Sequence, residues 1–342
     1  MKANPPIHHP RPVRLACLLA IAAVALAAGC KRQSPDTAGK SGPPTRIVVQ
    51  LDWVPEPEHG GFFQAQARGW FARAGLEVVL SPGGAHTYGP QKVATGQAQI
   101  GQADSTTVLL GISEGLPLVN VGAVFQNDPS VLMLHADNPV TRFEDLQGKT
   151  IMARPEWLFL PYLKKKYGVT VNIIPQSFQV ANFIANRDFI QQGFYIAEPF
   201  HIIRGGAAPP KFLYVWDAGF DAYTVLYANR RWARENPAAL RAFLSAYAAG
   251  WRDYLTGDPT PAHTAIKAAN PNCTDDFLDW SRRQIIAERL VTGRDRGADD
   301  LSAIGHIEPA RFRRQIDILE ELGSVPPGRL SPETVMSAEF LP

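Results

Sequence analysis

An indole, an imidazole and a carboxylate stand where this chain turns away from strand-like runs, and prolines or glycines fix each turn. Trp53 follows the alternating apolar residues Ile47, Val49 and Leu51 and precedes Pro55, Pro57, His59 and the Gly60-Gly61 pair. The alternation predicts a strand. Proline cannot continue a sheet ladder, so the strand stops here and its end faces a loop. Glu198 reads as the end of a second strand, Gly193–Ala197, because Pro199 forces the chain to turn after it. In open α/β sheets, ligands sit outside the carboxyl ends of the strands. An indole at a cleft wall stacks on a flat ring for about 1–3 kcal/mol. A carboxylate beside it accepts two hydrogen bonds from an amidine-like edge, such as an aminopyrimidine with a protonated ring nitrogen. Trp157, after the predicted strand Thr150–Ala153, could supply the opposite aromatic wall. Each residue also has a plainer reading: core packing for Trp53, a satisfied loop histidine for His59, a solvated rim or salt-bridge carboxylate for Glu198.

Other chemistries fit less well. Gly111-Ile112-Ser113-Glu114-Gly115 matches the G-x-S-x-G elbow of serine hydrolases, which needs a strand before the serine and a helix after it. Here the order is reversed, so the segment reads as a helix C-terminus with capping glycines. No metal is expected: His59, His86, His135, His201, His263 and His306 are scattered, with no H-E-x-x-H and no paired cysteines. A phosphate-cradling loop is also missing. The Arg282/Arg283 and Arg311/Arg313/Arg314 groups fall on predicted helix faces and read as solvated surface.

The elements around these residues alternate between strand and helix from Arg46 to about residue 229, which implies a mostly parallel sheet covered on both faces. Leu118–Phe125 and Val131–His135 read as strands, and a helix begins at Ser105 with Asp104 or Ser105 as its cap. From Pro237 onward the pattern is helical, over Ala238–Leu255, Thr274–Ala287 and Pro309–Leu322. At the other end, Lys2, Arg11 and Arg14 precede an apolar run, Leu15–Ala28, and then Gly29-Cys30. That run is shorter than the roughly 20 residues a bilayer span needs. It reads as an export signal covering residues 1–29. The ending Leu26-Ala27-Ala28-Gly29-Cys30 resembles a bacterial lipobox with Cys30 as the lipidated residue, although Ala27 stands where leucine is usual. Residues 30–44, rich in Pro, Gly and Ser, read as a tether.

Removing residues 1–29 takes three of the 34 basic residues and none of the 32 acidic ones, leaving a net charge of −1. That balance gives no footprint for nucleic acid. Only Cys30 and Cys273 remain, so no disulfide framework is expected. The length that remains favours two lobes over one core.

Taken in order, Leu51-Asp52-Trp53, Pro55, His59, Gly69-Trp70-Phe71, Gly75-Leu76, Val93 to Gly101, Asp145 to Thr150, Glu198-Pro199 and Tyr223 to Asn229 resemble one known family. It comprises periplasmic ABC-transporter substrate-binding proteins for thiamine pyrimidine precursors, aliphatic sulfonates and related small molecules. The opening most resembles its pyrimidine branch, which also contains the fungal pyrimidine synthase. The resemblance implies a two-lobe α/β fold of the type II periplasmic-binding-protein kind, with crossings near 126–131 and 220–224. Residues 45–128 and 223–342 would form lobe one, and 129–222 lobe two. By the same resemblance Trp53, His59, Gln102 and Ser105 would face the ligand from lobe one, and Trp157 and Glu198 from lobe two. Gln102 stands where the synthase has its cofactor-binding lysine, and Thr106 where it has its sacrificed histidine. Without a lysine amine no Schiff base to pyridoxal phosphate can form, so binding without a cofactor is expected rather than synthesis. The expected protein is a monomer, lipid-anchored at Cys30 on the periplasmic or cell-surface side of the membrane, whose partners are a heterocyclic ligand and a permease. Riboflavin-type rings and sulfonates remain alternatives, the latter through Arg154 and Ser105.

Overall fold

Among the described residues, ten strands, numbered β1 to β10 in chain order, fall into two five-stranded sheets. The computed structural model describes residues 42–297 and 299–342. The expected export signal, Cys30 and nearly all of the expected tether lie outside these residues. The first sheet holds β1 (Thr45–Gln50), β2 (Leu76–Ser81), β3 (Ile100–Asp104), β4 (Leu118–Phe125) and β10 (Thr224–Asn229), in the order β2-β1-β3-β10-β4. The second holds β5 (Ser130–Leu134), β6 (Thr150–Ala153), β7 (Asn172–Pro175), β8 (Ile190–Phe194) and β9 (Lys211–Tyr214), in the order β7-β6-β8-β5-β9.

The chain passes from the first sheet to the second through 126–129 and returns through 219–223; both crossings are irregular. This passage explains why the sheets are less parallel than the alternating pattern suggested. β1 runs parallel to β2 and β3, and β6 parallel to β7 and β8. The two strands that enter from the opposite sheet run the other way: β10 is antiparallel to β3 and β4, and β5 to β8 and β9. A strand fed by a crossing has no βα turn to bring it round parallel.

Helix Gly60–Ala67 packs along the long helix Pro237–Thr256, and this contact sets the position of the loop before it. The packing is too close for side chains at three positions. A methyl group at Gly61 would lie 2.4 Å from the Trp251 ring, and one at Gly60 would lie 2.2 Å from that of Tyr254. One at Gly250 would lie 2.1 Å from the Gly61 carbonyl oxygen. Phe62, Phe243, Tyr247 and Trp251 are buried at this contact, with Phe62 and Tyr247 centroids 4.7 Å apart. The helical segment after the loop is broken at Gly69, whose φ of +71° ends the first piece and starts a short second one, Trp70–Arg73.

Asp104 caps the helix Ser105–Ser113, accepting the Thr107 amide at 3.0 Å. Ser113 is the last residue of that helix and Gly115 follows at φ +97°, so the G-x-S-x-G match is a helix end.

Candidate ligand-binding site

The loop after β1 carries a group of acids around one imidazole. Residues 57–59 form a single helical turn that buries Glu58 and His59. The Glu56 amide donates to His59 Nδ1 at 3.2 Å, so the ring hydrogen sits on Nε2, which lies 3.1 Å from Asp52 Oδ1. Gln102 Nε2, reaching across from β3, donates to the same Asp52 oxygen at 2.9 Å. Behind the loop, Asn270 Nδ2 donates to the Pro55 carbonyl at 3.0 Å, and the buried Cys273 thiol packs beside it. Burial, with Glu56 nearby, pushes that thiol up to about 12. It therefore stays neutral and serves as packing.

Glu198 approaches this group from the other sheet. The structure moves it from the expected strand end to the first turn of a helix, Glu198–Arg204. The strand β8 already stops at Phe194, and Pro199 is tolerated because the first turn needs no donor from it. The carboxylate folds back to accept the Phe194 amide at 2.8 Å. Burial pushes Glu198 up to about 7, the Phe194 bond opposing it. Glu56 is pushed up to about 8, first by burial and then by the charges of Glu198 and Asp52. Glu58 is raised well above the usual carboxylate range by burial and by Asp52, Glu56 and Glu198. Repulsion from Glu198 requires it to lie near Glu56 and Glu58 of the loop after β1. Together they form an acceptor-rich and easily protonated surface. The buried Oε1 of Gln102 has no protein partner and adds one further acceptor.

Trp53 is half-buried beside these acids and is not sealed in the core. Its ring meets Phe178, on the loop after β7, with centroids 4.9 Å apart and planes inclined at 39°. Trp157, expected opposite Trp53, is 7% exposed and packs on Phe159 at 4.9 Å in the core beneath the second sheet. Ser105 is fully buried; its amide donates to the Tyr223 carbonyl at 2.8 Å and its hydroxyl accepts the Tyr223 amide at 3.2 Å. It thus fastens the returning crossing. The structure brings Trp53, His59, Gln102 and Glu198 to one region and uses Trp157 and Ser105 in the supporting framework.

Asp52, Glu58 and His59 each offer an atom within 4.8 Å of the others, a spacing a cation could use. As bonded here, however, the imidazole has no free lone pair, since Nδ1 is taken by Glu56 and Nε2 carries the hydrogen. Burial raises Asp128 to about 6, and Arg154, the side chain an anion would want, lies near enough to oppose that rise. A cavity of about 740 Å³ lies beside the crossings, lined by Tyr162, Lys166, Trp216, Phe220 and Arg311 among others. It shares no residue with the acidic group.

Two mixed five-stranded sheets joined by a double crossing define a periplasmic binding protein fold. The alkanesulfonate-binding protein SsuA from Xanthomonas axonopodis pv. citri has the same fold, with a TM-score of 0.62 and 11% identity over 87% of this chain and 99% of that one. The chain belongs to the NMT1/THI5-like family, whose model matches residues 56–262. It is 24% identical to the formylaminopyrimidine-binding protein of Halalkalibacterium halodurans over 225 residues, 63% of this chain and 68% of that protein. It is 25% identical over 251 residues to the 4-amino-5-hydroxymethyl-2-methylpyrimidine phosphate synthase THI11 of Saccharomyces cerevisiae, 68% of this chain and 73% of that one. Over other curated relatives the chain spans as little as 34% of their length.

Proposed function

We propose that this protein is the substrate-binding component of an ABC importer. It would capture a thiamine pyrimidine precursor between a lobe of residues 45–128 and 223–342 and a lobe of residues 129–222. Trp53 stacks on the ring, and Glu198 binds its amino and ring-nitrogen edge. His59 and Gln102 hold Asp52 in place beneath it. Ser105 and Trp157 stiffen the two walls from behind. The closed form docks on a permease outside the inner membrane, where a lipid on Cys30 keeps the protein.

The observation that carries this reading is the meeting of acids from both sheets beside a half-buried indole. Such a surface favours a flat guest rich in hydrogen-bond donors. It disfavours a sulfonate, which brings three acceptor oxygens and a negative charge to a surface already crowded with acidic groups. The relative named for formylaminopyrimidine binding supports the same choice. A synthase is the second reading, favoured by the relatives so named. Against it stands Gln102, whose amide cannot form the imine that a lysine would.

Calorimetry with 4-amino-5-hydroxymethyl-2-methylpyrimidine, its formylamino analogue, riboflavin and an alkanesulfonate tests the reading. The pyrimidines are expected to bind the wild type, and Trp53→Ala is expected to abolish measurable binding while unfolding as the wild type does. Retained affinity in Trp53→Ala would remove the stacking role. Pyridoxal phosphate absorbance on the purified protein would favour the synthase.

A further inference from the structure

The ring that covers Trp53 belongs to the protein itself. Phe178 has a φ of +58°, a left-handed conformation that a bulky residue adopts only where its surroundings impose it. Both sides of its loop are tied to the second sheet: Gln176 Nε2 donates to the Gln192 carbonyl at 2.7 Å, and Gln191 Nε2 to the Gln179 carbonyl at 3.1 Å. These ties leave the strained residue pointing its ring across to the first sheet, where Trp53 receives it. Neither neighbour of Phe178 contributes to this contact. Ser177 is exposed and bonds to Met152 Sδ at 3.5 Å, and Gln179 is exposed.

The spacing decides what this ring can be. A guest sandwiched between two aromatic rings needs them roughly 7 Å apart, two carbon–carbon contact distances. At 4.9 Å the Trp53 and Phe178 rings leave no such gap. We propose that Phe178 is a built-in occupant of the stacking position, so that a flat guest reaches this face of Trp53 only by displacing it. The residue is then specificity-determining. A guest must stack on the indole better than a phenyl ring does, which selects extended or electron-poor heterocycles over simple phenyl compounds.

This inference rests on the proposed stacking role of Trp53, and two readouts separate the failure of one from the failure of the other. In the ligand-free protein, Phe178→Ala and Phe178→Leu should both change the emission and near-ultraviolet dichroism of Trp53, identified as the signal lost in Trp53→Phe. Unchanged spectra would overturn the contact whatever the ligand. In titrations with 4-amino-5-hydroxymethyl-2-methylpyrimidine, Phe178→Ala should bind roughly 2- to 10-fold more tightly than the wild type, the worth of one aromatic pair. Phe178→Leu should fall between the two. Weaker binding by Phe178→Ala would make Phe178 a wall for the guest, and unchanged binding would place the guest on the other face of Trp53. Either result overturns the proposal. Retained binding by Trp53→Ala would instead defeat the parent reading and leave the ligand-free spectra to judge the contact.

Discussion

In the proposed complex Glu198 would join protein and guest through one proton and not through a fixed charge. Its carboxyl is pushed up to about 7, so near neutrality both forms are present. A neutral carboxyl donates to a pyrimidine ring nitrogen and accepts from the adjacent amino group; a carboxylate does the same with a protonated ring. Either way the pair needs one proton. Affinity for the aminopyrimidine should therefore fall as pH rises above about 7, when neither partner holds it. Glu198→Gln, whose amide offers a donor and an acceptor in the same places, should bind with little pH dependence, and Glu198→Ala should bind poorly. Calorimetry from pH 5.5 to 8.5 checks this, and affinity that rises through pH 7 would mean the guest brings its own permanent charge. The same acids set the stability of the empty protein. Glu56 rises from its ordinary 4.5 to about 8, so above pH 4.5 the folded chain holds protons that the unfolded chain has released. Stability should then decline as pH climbs from about 4.5 towards 8, and Glu56→Gln should reduce the slope in thermal melts. A melting temperature that rises over that range would show the acids to be ionised in the fold.

At the scale of elements, the site depends on a helix contact made by glycine. Gly250 faces the Gly61 carbonyl, a backbone atom that cannot swing aside, so Gly250→Ala must push helix Gly60–Ala67 outward. The expected cost is about 1–3 kcal/mol in urea unfolding, with weaker ligand binding because the Trp53–His59 loop leads directly into that helix. Unfolding within a few tenths of a kcal/mol of the wild type would mean the helices slide apart freely. Much of this level is legible in the sequence. Proline, glycine and alternation mark the end of β1, the Gly60-Gly61 start and the eight-residue strand β4, and Asp104 announces its helix. Glu198 is misread because Tyr195-Ile196-Ala197 continues an apolar run that also fits a strand. The turn after Phe194 arises from the fold-back of the carboxylate onto that residue's amide, a contact that periodicity does not encode. Phe178 is invisible for a similar reason: nothing in Gln176-Ser177-Phe178-Gln179 announces a left-handed phenylalanine, which tertiary ties impose. Trp157 is equally opaque, since a tryptophan after a strand faces a cleft in one fold and the core in another with the same neighbours in sequence.

At the scale of the whole molecule, everything at the cleft depends on how two sheets are held across two irregular crossings. Arg311, on the helix Pro309–Glu321, grips both: Nη1 donates to the Gln126 carbonyl at 2.6 Å and Nη2 to the Ala222 carbonyl at 3.3 Å. Its guanidinium lies 3.8 Å from the centre of the Tyr223 ring, and Nε lies 3.1 Å from Asp221 Oδ1. The sequence reading of this arginine as solvated surface is thus corrected. Its planar fork reaches one crossing with each arm, which one ammonium cannot do. Arg311→Ala should cost about 1–3 kcal/mol, as the carbonyls of both crossings lose their partner, although Asp221 keeps Arg314 at 2.9 Å. Arg311→Lys should recover little of it. Because the two crossings would then no longer share an anchor, the ligand-free variant should scatter X-rays with a larger radius of gyration than the wild type. Ligand affinity should fall as well, since the fraction of molecules with both acidic faces opposed is what the guest selects. A variant that unfolds at a lower urea concentration but keeps the wild-type radius and affinity would make Arg311 a stabilising contact with no hold on the separation of the sheets.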